Sequence, residues 1–293
     1  MKLLVTGGSG QLGFDVCQEL ERRRIEYAAP SSKEMNITDA DAVRGQICTY
    51  RPDAVIHCAA WTAVDAAEDV PEQVFAINEG GTRNIALVCR EIGAKMLYIS
   101  TDYVFSGTGT HFYEPGDPTG PVNVYGKSKL AGEQAVKDIL EEFFIVRTSW
   151  VFGQHGNNFV KTMLHLAEAR DEVSVVCDQV GSPTYTTDLA PLLCDMVETE
   201  RYGTYHAANE GTCSWAKFAE EIFRVAKKNI KVNRVPTGEY PTKAKRPLNS
   251  RLSKACLERA GFARLPTWYS AVSSFLEEMR KIYDTGRKIQ KGL

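Results

Sequence analysis

The chain carries no C-x-x-C pair, no histidine spacing suited to a metal, no apolar run long enough to cross a membrane and no surplus of either charge. Each absence removes a class of function. The eight cysteines, Cys17, Cys48, Cys58, Cys89, Cys177, Cys194, Cys213 and Cys256, mostly sit within apolar stretches of a long chain. They read as buried reduced thiols rather than a disulfide frame or a zinc site. Five histidines complete no ligand set, so no metal is expected among the site residues. Thirty-five Lys and Arg against 37 Asp and Glu give a net charge of −2, with no field to draw in nucleic acid or an anionic membrane. Arg22-Arg23-Arg24 is a short solvated helix end. The N-terminus runs straight into a strand and a glycine loop, with no signal peptide, so a cytoplasmic location is expected.

What is present is alternation. Apolar strand-like runs at 2–6, 25–29, 54–58, 95–100 and 143–148 are separated by helical patterns at 11–23, 39–49, 71–91 and 123–140. This predicts an α/β fold, a Rossmann-type doubly wound parallel sheet with ligands at the carboxyl ends of its strands. After Thr148 the rhythm loosens. Residues 1–148 with about 186–228 are expected to form the dinucleotide-binding domain. About 149–185 with 229–285 are expected to form a smaller non-contiguous substrate lobe, and 286–293 a frayed tail.

Gly7-Gly8-Ser9-Gly10-Gln11-Leu12-Gly13 follows the first strand and opens the first helix. Glycines let the backbone turn and approach a pyrophosphate, and the helix N-terminus offers free N–H groups. Gly7, Gly10, Gln11 and Leu12 are therefore candidate cofactor contacts. The acid expected about 20 residues on, for the ribose hydroxyl, is missing; the second strand runs out at Ser31, Ser32 and Lys33. Two hydroxyls and an ammonium suit a 2′-phosphate, which favours NADPH over NADH, with use of both left open. Ala59 and Ala60, at the end of the third strand with Thr62 just beyond, leave room for a flat cofactor.

Tyr125 and Lys129 form Tyr-x-x-x-Lys in a helical stretch. Four residues apart on a helix they share a face, with about 6 Å of axial rise. A ketone reductase needs an acid for the oxygen as hydride arrives, and a free phenol near pKa 10 is a weak one. A unit positive charge at about 4 Å with an effective dielectric of ~20 is worth ~4 kcal/mol, or ~3 pKa units, as an upper figure. Thr101, at the end of a strand, is placed to donate to the same oxygen. Asp102 beside it reads as turn-forming, and His57 as a core residue.

With the glycine loop, Ser-Thr-Asp-Tyr-Val-Phe (100–105) and Tyr-x-x-x-Lys in order, the chain resembles the extended short-chain dehydrogenases. The runs at 59–65, 123–133, 147–150, 156–163 and 181–184 are similar to dTDP-4-dehydrorhamnose reductases. The resemblance implies an NAD(P)H-dependent oxidoreductase that reduces the 4-keto group of dTDP-4-dehydro-6-deoxy-L-mannose to dTDP-L-rhamnose. It implies catalysis by Tyr125, Lys129 and Thr101, and substrate contacts from Val64, Thr101, Asp102, Trp150, Asn157, Asn158, Lys161 and Arg246, the last at the diphosphate. It adds Asn36 and Ile37 to the cofactor site, Asn36 standing where relatives place Asp near the adenine. Some relatives hold Mg2+ at a dimer contact through glutamates; the matching positions are the shorter Asp15 and Asp188. The partner implied is a small nucleotide-sugar, for a monomer or homodimer. Two readings compete: another nucleotide-sugar reductase or epimerase, and a non-catalytic regulatory homologue resembling the beta subunit of methionine adenosyltransferase.

Overall fold

The structure, a computed structural model, describes residues 1–291 and the side chains of 1–281. Five strands in chain order, β1 (Lys2–Thr6), β2 (Glu26–Ala28), β3 (Ala54–His57), β4 (Lys95–Thr101) and β5 (Phe143–Thr148), join a sixth, Gly203–His206, in one sheet. All neighbours are parallel, in the spatial order sixth strand-β5-β4-β3-β1-β2. The expected doubly wound sheet is what is found. The sixth strand, only four residues long, was not singled out from the sequence.

Alternation along the strands sorts the two faces. Leu3 and Val5 of β1 face one cluster with Val16, Leu20, Leu189 and Leu193. Leu4, between them, faces the other with Val43, Ile47, Val55, Ile85 and Val136. The period of two sends neighbours to opposite sides, and helices cover both. Helix α1 (Gln11–Arg23) stops where Arg24 takes the left-handed conformation (φ 56°) and its N–H turns back to the carbonyls of Leu20 and Glu21.

A third cluster lies outside the sheet. Phe152, Val160, Met163, Tyr185, Phe218, Trp268 and Phe275 fill the smaller lobe. Helix Trp215–Ala226, grouped with the sheet by the sequence reading, packs its buried residues into this cluster. The last helix is drawn from Trp268 to Lys291. The expected tail at 286–293 falls partly outside the described residues, and wholly outside those whose side chains are described.

Two details place the site. The stretch read as one helix from 71 is interrupted: Pro71–Phe75 and Thr82–Ile92 are α-helical, and Ala76–Gly81 between them is a π-helical turn. Such turns commonly mark functional sites. From it Asn78 reaches inward, accepting from the Trp61 N–H (2.8 Å) and donating to Ser128 Oγ (2.9 Å). Helix Val124–Ile139 lies so close that a Cβ at Gly132 would overlap the Tyr98 hydroxyl and the Asn78 carbonyl. We expect Gly132→Ala to cost about 1–3 kcal/mol, seen as a lower midpoint in thermal denaturation. An unchanged midpoint would show that this approach does not constrain the helix.

Candidate active site

A cleft of about 680 Å³ opens at the carboxyl edge of the sheet. The turn after β1 forms its floor. Gly7 there has φ +69°, and a Cβ on it would sit 2.8 Å from the Ala59 nitrogen. A Cβ on Gly13 would overlap the Gly7 carbonyl, so only hydrogen lets α1 start this close to the turn. The N-cap of α1, Gly10, makes no side-chain cap, and no acid occupies the first turn. Uncapped N–H groups at a helix start fit a pyrophosphate. Gly7, Gly10, Gln11, Leu12, Ala59, Ala60 and Thr62 all line this cleft.

The candidate catalytic groups meet the same cleft: Thr101, Tyr125 and Lys129 line it together with Val64, Asp102, Trp150 and Asn157. Asn123 caps the helix that carries Tyr125 and Lys129. Its Oδ1 accepts from the Gly126 N–H at 2.7 Å, and its amide donates to the Lys245 carbonyl at 2.8 Å. Glu68, which was not among the candidates, accepts from the Val124 N–H at 2.9 Å and holds the same helix start.

Electrostatics correct one expectation. Lys129 does not pull the Tyr125 phenol down. Burial pushes it up to about 12, a hydrogen bond with Thr101 opposes this, and the Asp102 charge adds to it. The Lys129 ammonium sits over the Tyr98 ring, 4.0 Å from its centroid. Burial brings Lys129 down to about 7, with Glu133 and Cys58 working the other way. Asp102 is more than a turn residue. It is 3% exposed, its Oδ1 accepts from the Thr101 hydroxyl at 3.1 Å, and its Oδ2 has no partner. Desolvation raises its pKa to about 6. His57 is the core residue expected, bonded to Thr6 (2.6 Å) and Thr82 (3.1 Å), and burial holds it neutral with a pKa near 3.

Beneath the helix lies a pair the sequence reading missed. Glu133 is 0% exposed and Arg147 2%. Arg147 grips the carboxylate through Nε (2.8 Å) and Nη2 (2.7 Å), and Ser100 donates to it at 2.6 Å. Glu133 follows Lys129 by four residues and Tyr125 by eight, on one helical stripe. That spacing was the signal available.

Other candidates lie elsewhere. Asn158 caps helix Phe159–Ala169 and donates to Gln11 Oε1 at 3.0 Å, while His155 stacks on Phe14 at 3.4 Å. This loop therefore braces the glycine turn. Lys161 spends its ammonium on the carbonyls of Gln154 and Gly156. Arg246 lies outside the cleft lining, in a separate hollow of about 530 Å³, and grips Asp65 at 2.6 and 3.0 Å. Ser31, Ser32, Lys33 and Asn36 are exposed beyond β2 and Ile37 is half-buried, none of them in the cleft lining. The Ser31 hydroxyl already donates to Glu34 at 2.7 Å. Ile37 packs against Gly81, and Asn36 accepts from Thr38 within its own turn.

The carboxylates considered for Mg2+ are engaged within the chain. Asp15 accepts from Thr187 and Asp188 from Asn209, both carboxylates raised by burial, and no cluster of three or more such ligands occurs among the described residues. All eight cysteines are free thiols, and no helix among the described residues is long and apolar enough to cross a membrane.

The family model described as RmlD substrate binding domain matches residues 1–281. The chain is a member of the RmlD family. Spore coat polysaccharide biosynthesis protein SpsK of Bacillus subtilis (strain 168) is 42% identical over 283 residues, 97% of this chain and 99% of that protein. The dTDP-4-dehydrorhamnose reductase of Streptomyces griseus is 41% identical over 277 residues, 92% of this chain and 91% of that one. The crystal structure of dTDP-4-dehydrorhamnose reductase from Bacillus anthracis str. Ames in complex with NADP matches with a TM-score of 0.92 at 42% identity, covering 94% of this chain and 99% of the other. The resemblance read from the sequence motifs thus holds for nearly the whole RmlD-family chain.

The buried pair yields a test. Glu133→Gln leaves Arg147 an uncompensated buried charge and should cost about 3–5 kcal/mol in urea unfolding. A loss under 1 kcal/mol would show that the ion pair does not hold the helix.

Proposed function

We propose that this RmlD-family chain reduces the 4-keto group of dTDP-4-dehydro-6-deoxy-L-mannose with NADPH, giving dTDP-L-rhamnose. The observation that carries the reading is the meeting of Thr101, Tyr125 and Lys129 in the cleft floored by the glycine turn. The relatives named above support the substrate class.

The bound reduced nicotinamide supplies a hydride. The protein's own groups manage the oxygen. Tyr125, held protonated at neutral pH by burial, donates its phenolic proton as negative charge develops on that oxygen. Its raised pKa suits a reduction: the group must stay loaded, and an alkoxide is a far stronger base than a phenolate. Thr101 hydrogen-bonds the phenol, and turning its one hydroxyl proton from Asp102 to the phenolate stabilises the charge left behind. Lys129, from one turn further along the helix, lines the same cleft and is assigned to the nicotinamide ribose. The intact set of three favours catalysis over the regulatory reading. The uncapped start of α1 and the Gly7 approach are the features that would hold the cofactor's pyrophosphate. Lys33 is the group assigned to the 2′-phosphate; NADH is the alternative, and the hold of Glu34 on Ser31 is the contact that favours it.

Three outcomes follow. With enzymatically made dTDP-4-dehydrorhamnose, Tyr125→Phe should lower kcat by about 10²–10⁴-fold while NADPH binding persists. Equal rates would remove Tyr125 as the acid, and no turnover by folded wild type would favour the regulatory reading. The Lys129 ammonium is complete well below pH 7 and lost as pH rises through about 7. The profile of kcat/KM should therefore descend from about there, and a limb unaltered in Lys129→Met would assign it to another group. Lys33→Glu should raise KM for NADPH about tenfold through like-charge repulsion, with KM for NADH steady; parallel changes would count against a 2′-phosphate contact.

A further inference from the structure

The cleft lining contains a second indole that neither the motifs nor the proposed chemistry uses. Trp215 lines the cleft together with Trp150, and the two rings stack at 3.8 Å with 13° between their planes. Trp150 is held in an unusual state. Its φ is +48°, in the left-handed region that a bulky side chain seldom adopts, and such conformations persist only when their surroundings over-determine them.

Those surroundings are visible. The Ser149 hydroxyl donates to the Ser182 carbonyl at 2.6 Å, and the Trp150 carbonyl accepts from the Thr184 N–H at 3.2 Å, which fixes the backbone on both sides of the bend. Gly181 clears the ring, since a Cβ there would lie 2.9–3.0 Å from two of its atoms. The remaining face of contact is Trp215. It begins helix Trp215–Ala226, whose N-cap Ser214 accepts from the Lys217 N–H at 3.1 Å. Phe159 braces it in turn, with ring centroids 4.6 Å apart. A rigid chain of contacts thus runs from the small lobe's core through Trp215 to Trp150.

We propose that Trp215 is a substrate-positioning residue, stacked on Trp150 so that the paired indoles form the fixed wall against which the sugar of a nucleotide-sugar lies. This rests on the function proposed above and deepens it. An aromatic face offers a large apolar surface with few rotatable bonds, which suits the C–H face of a pyranose. Holding that surface in place before binding removes the ordering cost from the ligand's affinity. The pyrophosphate is assigned to the glycine turn, so loss of the stacked pair should fall on the sugar and not on the dinucleotide.

The competing view is that Trp215 merely fills volume beside Phe159 and Phe218. Trp215→Leu keeps apolar bulk but cannot stack; Trp215→Phe can do both. Titration calorimetry with dTDP-L-rhamnose needs no turnover and is the primary readout. We expect Trp215→Leu to raise its Kd at least tenfold with NADPH affinity within twofold of wild type, and Trp215→Phe to recover most of the loss. Near-ultraviolet circular dichroism of the unliganded protein should show an exciton couplet from the stacked indoles, absent in both Trp215→Leu and Trp150→Phe. Unchanged dTDP-L-rhamnose affinity in Trp215→Leu, an equal loss for both ligands, or no couplet in wild type would overturn the proposal. Wild type that binds dTDP-L-rhamnose but turns over no keto sugar would overturn only the catalytic reading. Wild type that binds neither dTDP-L-rhamnose nor the keto sugar would overturn both.

Discussion

The site depends on one buried ion pair. Glu133 and Arg147 meet in the interior with both ends of the guanidinium fork engaged, and Ser100 adds a third bond. Arg147 is fixed in β5 and Ser100 in β4, so the carboxylate is tied to two adjacent strands at the sheet's carboxyl edge. Because Glu133 shares a stripe with Lys129 and Tyr125, pinning it sets the rotation of the whole helix. A charge pair is an expensive way to hold two elements, since desolvation offsets much of the attraction. It specifies one orientation, where an apolar contact would tolerate several. The same carboxylate supports the protonated state of Lys129, so structure and chemistry are coupled through a single group.

The cleft divides its work between two kinds of backbone. On the side of the glycine turn, bare N–H groups and missing side chains leave the cleft open, and the loop at 153–158 leans in through Asn158 and His155 against Gln11 and Phe14. On the sugar side, large rings and hydroxyl-bearing residues form a more rigid wall. Tyr125 and Lys129 sit at the seam, on a helix whose start is tied to both neighbours: to Glu68 on one side and to the segment around Lys245 on the other.

Much of this was legible in the sequence because it depends on local rules. The glycine turn, the first five strands and the Tyr-x-x-x-Lys face are set by spacing alone, and β5 was placed at its observed bounds. What the sequence did not show is which partner each polar side chain takes in the folded chain. Arg246 looked available for a diphosphate, yet Asp65, 181 residues away, holds it in the unliganded fold. Ser31 looked available for a phosphate, yet Glu34 occupies it. The phenol's pKa was expected to follow the neighbouring ammonium, whereas burial, which no spacing reveals, dominates. Lys161 bonds the carbonyls of its own loop, and Asn158 divides its amide between Gly153 and Gln11.

The π-helical turn at Ala76–Gly81 carries a consequence for how the chain tolerates change in length. The wide turn is an extra residue accommodated within an otherwise regular rod. Excising one residue there would let the rod close into a continuous α-helix and swivel everything before it by about 100°. The Asn78 carboxamide would then leave Trp61 and Ser128, and the Ala59–Thr62 corner would lose its tether to the helix of Tyr125. A one-residue gap in this segment should thus be far more damaging than one of the same size in an exposed loop, although no reacting group is removed.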